Sequence, residues 1–270
     1  MEILGYFGAV LMGLSLGLIG GGGSILTVPI LVYLFHIDVV MATAYSLFIV
    51  GLTSLIGSGS HMRQGNIHWR TAIVFGIPSI VGVYAARALI VPALPDPLFQ
   101  IGEIPIGRSL GILILFAALM VIAAYSMIRK QKIPKGPDLP AVEALRFNYA
   151  LIMGEGAVVG AITGLVGAGG GFLIIPALVF LAKLPMKIAV GTSLIIIAAK
   201  SLIGFLGDLN ASGSMDWNFL LIFSSIAIAG ILLGSFLSKR IANERLKPAF
   251  GWFVLAMGIY IITREIAAIS

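Results

Sequence analysis

The chain has 270 residues, of which 59% are hydrophobic and 10% charged, with a formal net charge of +6 and a mean hydropathy of +1.10. A globular domain carries about 25% charged residues, so a soluble domain is excluded; the basic excess fits loops facing anionic lipid and does not call for nucleic acid. With no cysteine and three histidines (His36, His61, His68), disulfide and thiol chemistry are excluded, and neither a metal nor another cofactor is expected.

In chain order, the opening MEILGYFGAV carries an acid and no basic stretch, which argues against a cleaved signal peptide. Residues 3–35 form a first apolar segment, interrupted by glycines at 20–23. Apolar stretches follow at 39–57, 71–91 and 109–128, each about 20 residues long and able to cross roughly 30 Å of hydrocarbon. Residues 131–147, with Pro134, Pro137 and Pro140 among basic side chains, read as a cytoplasmic linker. A second glycine-broken segment then occupies 148–183, and further apolar stretches lie at 187–207, 217–238 and 248–263.

The second half repeats the first. Gly13, Gly17, Leu18, Gly20, Gly22, Gly23, Leu26 and Pro29 recur as Gly160, Gly164, Leu165, Gly167, Gly169, Gly170, Leu173 and Pro176, at a constant offset of 147. Ser46-Leu47 recurs as Ser193-Leu194, and Ser54-Leu55-Ile56-Gly57 as Ser201-Leu202-Ile203-Gly204. After a one-residue shift, Trp69 corresponds to Trp217 and Gly82 to Gly230. The expected units are a first membrane repeat at 1–130, the linker at 131–147 and a second repeat at 148–270. Non-helical backbone at membrane depth is tolerated where it is buried in protein or lines a polar cavity. Paired Gly/Pro breaks in two halves point to a transporter's binding site.

Loop charges relate the two halves. Loop 58–70 holds Arg63 and Arg70 and no acid, whereas its counterpart 207–216 holds Asp208 and Asp216 and no base. Loop 92–107 holds Asp96 and Glu103, whereas 239–247 holds Lys239, Arg240, Arg245 and Lys247 against Glu244. Both pairs reverse sign, so the repeats are expected to insert with opposite orientation. That requires an odd number of crossings per half, which the broken segment permits if it enters and returns on one side. The expected fold is an all-α integral membrane protein of the prokaryotic plasma (inner) membrane. It has two inverted repeats, each a Gly-broken helical hairpin plus three transmembrane helices. Four full crossings per half, giving parallel repeats, is the alternative, and it would put the basic loop 239–247 outside.

With this doubled motif, the Gly191-Thr192-Ser193-Leu194 stretch and a Trp opening the third span of each half, the sequence resembles the TauE/SafE (sulfite exporter) family of membrane permeases. The resemblance covers essentially the whole chain. It implies transport of a small anion such as sulfite, sulfoacetate or another organosulfonate. The two motif copies differ, with Ala168 and Gly171 opposite Gly21 and Ser24.

The expected site gathers Gly20, Gly21, Gly22, Gly23, Ser24 and Thr27 with Gly167, Gly169, Gly170 and Gly171. Tyr45, Ser46, Thr192 and Ser193 would contribute from the second spans. Glycine runs expose backbone N–H groups, and a helix restarting there carries about half a positive charge at its first turn. Two such starts on a pseudo-two-fold axis would bind an oxyanion. Gly13, Gly17, Gly160 and Gly164 are instead read as helix-packing positions. Lys200, deep in the span 187–207, is read as attracting substrate, snorkelling or pairing with Asp208. Glu155 carries a coupling proton or lies at the interface, and Arg87 and Arg108 are read as snorkelling anchors. A negative interior drives anions outward by about 2.3 kcal/mol per charge per 100 mV, which favours export. An anion channel and a proton-coupled importer of another small solute are the alternatives. No nucleophile–base pair or metal cluster appears within the spans, so an enzyme is not expected. The partners called for are the small anion and the lipid bilayer.

Overall fold

Glycine conformation sets the first turn of the architecture. In the computed structural model, described over residues 2–101, 104–128, 149–180, 182–209, 215–238 and 243–267, α1 (Glu2–Ile19) stops where Gly20 adopts a φ of +84°. A left-handed residue of this kind suits glycine, which lacks a Cβ. The chain continues through a 3-10 turn (Gly22–Leu26) into α2 (Thr27–Tyr33). Gly23 packs on Met12 and Leu16, Ile30 on Gly8, and Phe35 on Gly5, so the segment returns along α1 to the end where it began. The second broken segment is α7 (Tyr149–Val166) followed by α8 (Gly171–Phe180). Between them Gly167, Gly169 and Gly170 have φ values of +68°, +64° and +74°.

The longer helices are α3 (Val39–Arg63), α4 (Trp69–Ala85), α6 (Arg108–Ile128), α9 (Met186–Leu206), α10 (Trp217–Leu237) and α11 (Asn243–Ala267). α4 runs on through a π turn (Ala86–Ile90) into the short α5 (Val91–Ala93). The strands β1 (Phe99–Ile101) and β2 (Ile104–Ile106) pair antiparallel as a ribbon before α6. Asp38 caps α3 by accepting from the Val40 and Met41 N–H groups, and Asp216 caps α10 by accepting from Phe219. Among the described residues, five helices are long and apolar enough to cross a membrane: α3, α4 with its extension, α6, α9 and α10. The predicted span 248–263 lies within α11, which carries Glu244, Arg245 and Lys247 near one end and Arg264 and Glu265 near the other. The predicted linker 131–147 lies outside the described residues.

Large apolar side chains cover the exterior. On α4, Ile73, Ile77 and Val81 follow one another at i, i+4 and i+8 and are 55–63% exposed. Such a stripe belongs against lipid. Small residues occupy the inner seams. Gly13 and Gly17 of α1 lie against the α10 backbone at Ala227, Ile231 and Gly234. Gly156, Gly160 and Gly164 of α7 lie against Phe75, Ser79 and Val83 of α4. Numbers rise together along both seams, so those helices run parallel. Elsewhere they run opposite. Gly51 of α3 meets Leu202 of α9 while Gly191 of α9 meets His61, and Gly251 of α11 meets Met127 of α6 while Gly258 meets Met120. Under the 147-residue correspondence, α3 matches α9, and each of these helices packs antiparallel to its own equivalent.

Candidate functional site at the glycine breaks

The two breaks touch at the centre of the fold. A methyl group on Gly21 would lie 2.7 Å from the Gly171 Cα, and Gly171 faces the Gly21 backbone in return. Val50 of α3 packs on Gly169, and Ile197 of α9 packs on Gly171. Each belongs to a helical stripe with a serine one turn before and one turn after. The stripes are Ser46, Val50 and Ser54 on α3 and Ser193, Ile197 and Ser201 on α9, equivalent positions at the same offset of 147. All four serines are fully buried. Ser193 donates to the Gly20 carbonyl at 3.3 Å and to Val190 at 2.8 Å. The hydroxyls of Thr27, Ser46, Thr53, Ser54 and Ser201 are buried with no hydrogen-bond partner among the described residues. Each such group costs about 1–3 kcal/mol, so four of them on α3 and α9, the helices that flank the breaks, call for a functional explanation.

Lys200 completes the cluster. Its side chain is fully buried, and its Nζ donates to the Thr163 hydroxyl, which itself donates to the Val159 carbonyl at 2.7 Å. A methyl on Gly170 would lie 2.8 Å from that ammonium, which therefore stands at the second break. Of the three readings of Lys200, snorkelling fails because the group is inside the protein. Pairing with Asp208 fails because that carboxylate is held by Arg87 at 2.7 Å. Among the described residues no carboxylate pairs with Lys200.

The other predicted site residues are divided between the breaks and the span ends. Gly20, Gly21, Gly167, Gly169, Gly170 and Gly171 form the contact region, and Gly22 and Gly23 lie in the buried 3-10 turn. Ser24 turns its proton onto the Gly21 carbonyl at 2.8 Å. The Tyr45 hydroxyl accepts from the Asp216 N–H at 2.7 Å, and the Thr192 hydroxyl accepts from the His68 N–H at 2.9 Å. These two residues therefore serve opposite span ends. Glu155 is half-buried on α7, twelve residues before Gly167 and hence about 18 Å along the axis from the break. The breaks also differ from each other. In the second, the Leu173 and Ile174 N–H groups turn onto the Gly170 carbonyl as the ten-residue α8 begins. In the first, the chain passes through 3-10 geometry into a seven-residue α2, so one break opens directly into a helix and the other does not.

Arg87 corrects the reading as a snorkelling anchor. It is fully buried, with Nε 2.9 and 2.8 Å from the two Asp208 carboxylate oxygens and Nη1 donating to the Thr43 hydroxyl at 2.9 Å. The partners are 121 residues apart. The signal available in the sequence was an arginine with no other charged residue between Arg70 and Asp96. A cavity of about 730 Å³ opens elsewhere, between α1, α2 and α11, lined by Phe7, Tyr33, His36, Tyr260 and Arg264 among others. Its lining includes Leu26, the last residue of the first 3-10 turn, but none of the glycines of either break.

The family profile described as "Sulfite exporter TauE/SafE" matches residues 6–261. The chain belongs to that family. Relatives within it include a probable membrane transporter protein of Xylella fastidiosa, 31% identical over 265 residues, which cover 96% of this chain and 94% of the relative. Another is the probable membrane transporter protein YjnA of Bacillus subtilis, 32% identical over 258 residues, covering 94% and 98%. A third, from the archaeon Methanocaldococcus jannaschii, is 27% identical over 271 residues, covering 94% of each chain. No solved structure matches the chain. Family membership and the apolar helices together make this TauE/SafE member a multi-pass membrane transporter.

Proposed function

We propose that the chain moves a small oxyanion, a sulfite- or sulfonate-type species, through a central site where the two glycine breaks meet, with export as the favoured direction. The observation that carries this reading is Lys200: a fully buried lysine Nζ beside Gly170, with a hydroxyl as its hydrogen-bond partner and, among the described residues, no carboxylate paired to it. A buried cation of this kind is strongly destabilising without a counter-ion, and a bound oxyanion would supply one. The unpartnered hydroxyls of Ser46, Thr53, Ser54 and Ser201 add neutral donors on both flanking helices. An oxyanion has several acceptor oxygens and satisfies several such donors at once.

The same reading takes 1–130 and 148–270 as inverted repeats. Antiparallel packing of α3 on α9 supports it, as does the hairpin return of α2 along α1. Translocation would then alternate access to the central site by rocking of the hairpins against α3 and α9. The test is reconstitution into proteoliposomes with an imposed potential, measuring uptake of sulfite, thiosulfate, sulfate, sulfoacetate and acetate. Saturable flux of one sulfur anion supports the proposal. Non-saturating conductance would make the protein a channel. Flux of a neutral or cationic solute alone would overturn the anion reading.

A further inference from the structure

Arg87 and Asp208 lie outside the cluster at Lys200, yet buried ionisable groups in a membrane protein are costly and mark working parts. Arg87 projects from the π turn after α4 and ties down three other segments. It holds Asp208 after α9 at 2.7 Å, the Thr43 hydroxyl of α3 at 2.9 Å and the Gly164 carbonyl of α7 at 3.4 Å. Thr43 in turn packs on Gly167 at the second break. Ser46, one turn further along α3, is the first serine of the stripe beside that break. The pair therefore closes over one end of the proposed site.

The repeat provides an internal comparison. Carrying the 147-residue offset back from Asp208 reaches His61, and carrying the 148-residue offset forward from Arg87 reaches Ser235. These residues occupy matching surroundings at the opposite end. Ser235 lies against Gly17, the equivalent of Gly164, and His61 lies against Gly191 of α9. There the His61 Nδ1 and the Ser235 hydroxyl are both buried without a hydrogen-bond partner among the described residues. One end is tied by a charge pair; the matching place at the other end carries no such tie between these two residues.

We propose that the Arg87–Asp208 pair is a gate of the transport pathway: joined, it seals the serine stripe from the Asp208 end, and separated, it opens that end. The inference rests on the reading of the glycine breaks as the translocation site. Both residues are positioning residues, since neither contacts the Lys200 cluster directly. Substrate arriving from the His61 end would meet the site while the Asp208 end is held shut, which is the order alternating access requires.

Native cysteine is absent, so side-specific thiol labelling tests the gate. A single cysteine replacing Ser46 is exposed to a membrane-impermeant maleimide from each face of oriented vesicles. With the pair intact, labelling from the Asp208 face is slow. Adding Asp208→Asn speeds labelling from that face at least tenfold, leaves a Ser54→Cys reporter unchanged or slower from the opposite face, and is reversed by Asp208→Glu. A structural loosening would instead raise labelling from both faces, and that result, or equal rates with and without Asp208→Asn, overturns the gate. Should Asp208→Asn fail to fold, the parent Ser46→Cys protein still decides: rapid labelling from the Asp208 face with the pair intact refutes the proposal. Labelling needs no substrate, so failure of the gate is distinguishable from a silent flux panel.

Discussion

Replacing Gly21 by alanine puts a methyl group where the two halves of the molecule touch. The added carbon would lie 2.7 Å from the Gly171 Cα and 2.8 Å from its carbonyl carbon and oxygen, all backbone atoms. Ordinary carbon contacts begin near 3.4 Å, so one tip must retreat by roughly 0.7 Å, and overpacking of this sort costs about 1–3 kcal/mol. Gly21 itself has extended backbone at φ −172°, so the loss comes from crowding and not from a forbidden dihedral. Gly154→Ala is the internal comparison, because no described residue lies within 4 Å of a methyl there. It should be neutral or stabilising by roughly 0.5–1 kcal/mol, as alanine replaces glycine within helix α7. Thermal unfolding in detergent should show Gly21→Ala lowered on the order of 5 °C, with Gly154→Ala level or higher. Flux measured alongside should fall in Gly21→Ala, since the tips would separate at the site. If Gly21→Ala unfolds and transports like the native chain, the tips do not meet as described.

Asp208→Ala leaves the Arg87 guanidinium buried and unpaired, and loss of about 3–5 kcal/mol is expected in the same unfolding assay. Arg87→Met with Asp208→Leu should recover most of it, and an undiminished single variant would contradict the pairing. His68 caps α4 through Nδ1, which accepts from the Thr71 N–H at 3.3 Å, and burial together with the Arg70 charge holds its pKa below the ordinary 6.5. Its contribution to stability is therefore fully present above pH 6.5 and lost as pH falls through the lowered folded value. His68→Asn should flatten that acid loss, and an identical pH profile in the variant would sink the capping account. Single cysteines at Gln64 and Leu209, in the turns after α3 and α9, should label from opposite membrane faces. Labelling from one face would defeat the inverted arrangement.

The glycine breaks were legible because two copies of one motif at constant spacing leave little else to explain, and left-handed φ values at Gly20, Gly167, Gly169 and Gly170 account for glycine there. Lys200 was legible because a lysine stands out in an apolar span. Side-chain direction was harder to read. Tyr45 and Ser46 are sequence neighbours, yet successive residues on a helix point about 100° apart. One reaches Asp216 at the span end, and the other joins the buried stripe. The same rotation separates Thr192 from Ser193. The Arg87–Asp208 contact escaped because its partners are 121 residues apart and Asp208 lay eight residues from a more obvious cation. Periodicity carries no information on which distant helices pack together. It also could not show that one break would open directly into a helix while the other winds through a 3-10 turn, since within the glycine run 20–24 the copies differ only at Gly21/Ala168 and Ser24/Gly171.

The central claim is that Lys200 is the charge an anion meets where the breaks join. Its most direct test is flux of sulfur anions into proteoliposomes carrying the native protein or Lys200→Met, with folding of both verified by gel filtration and thermal unfolding. A fall of at least tenfold in saturable anion flux, from a variant that is folded, is the expected result. Native-level flux in Lys200→Met would contradict the account.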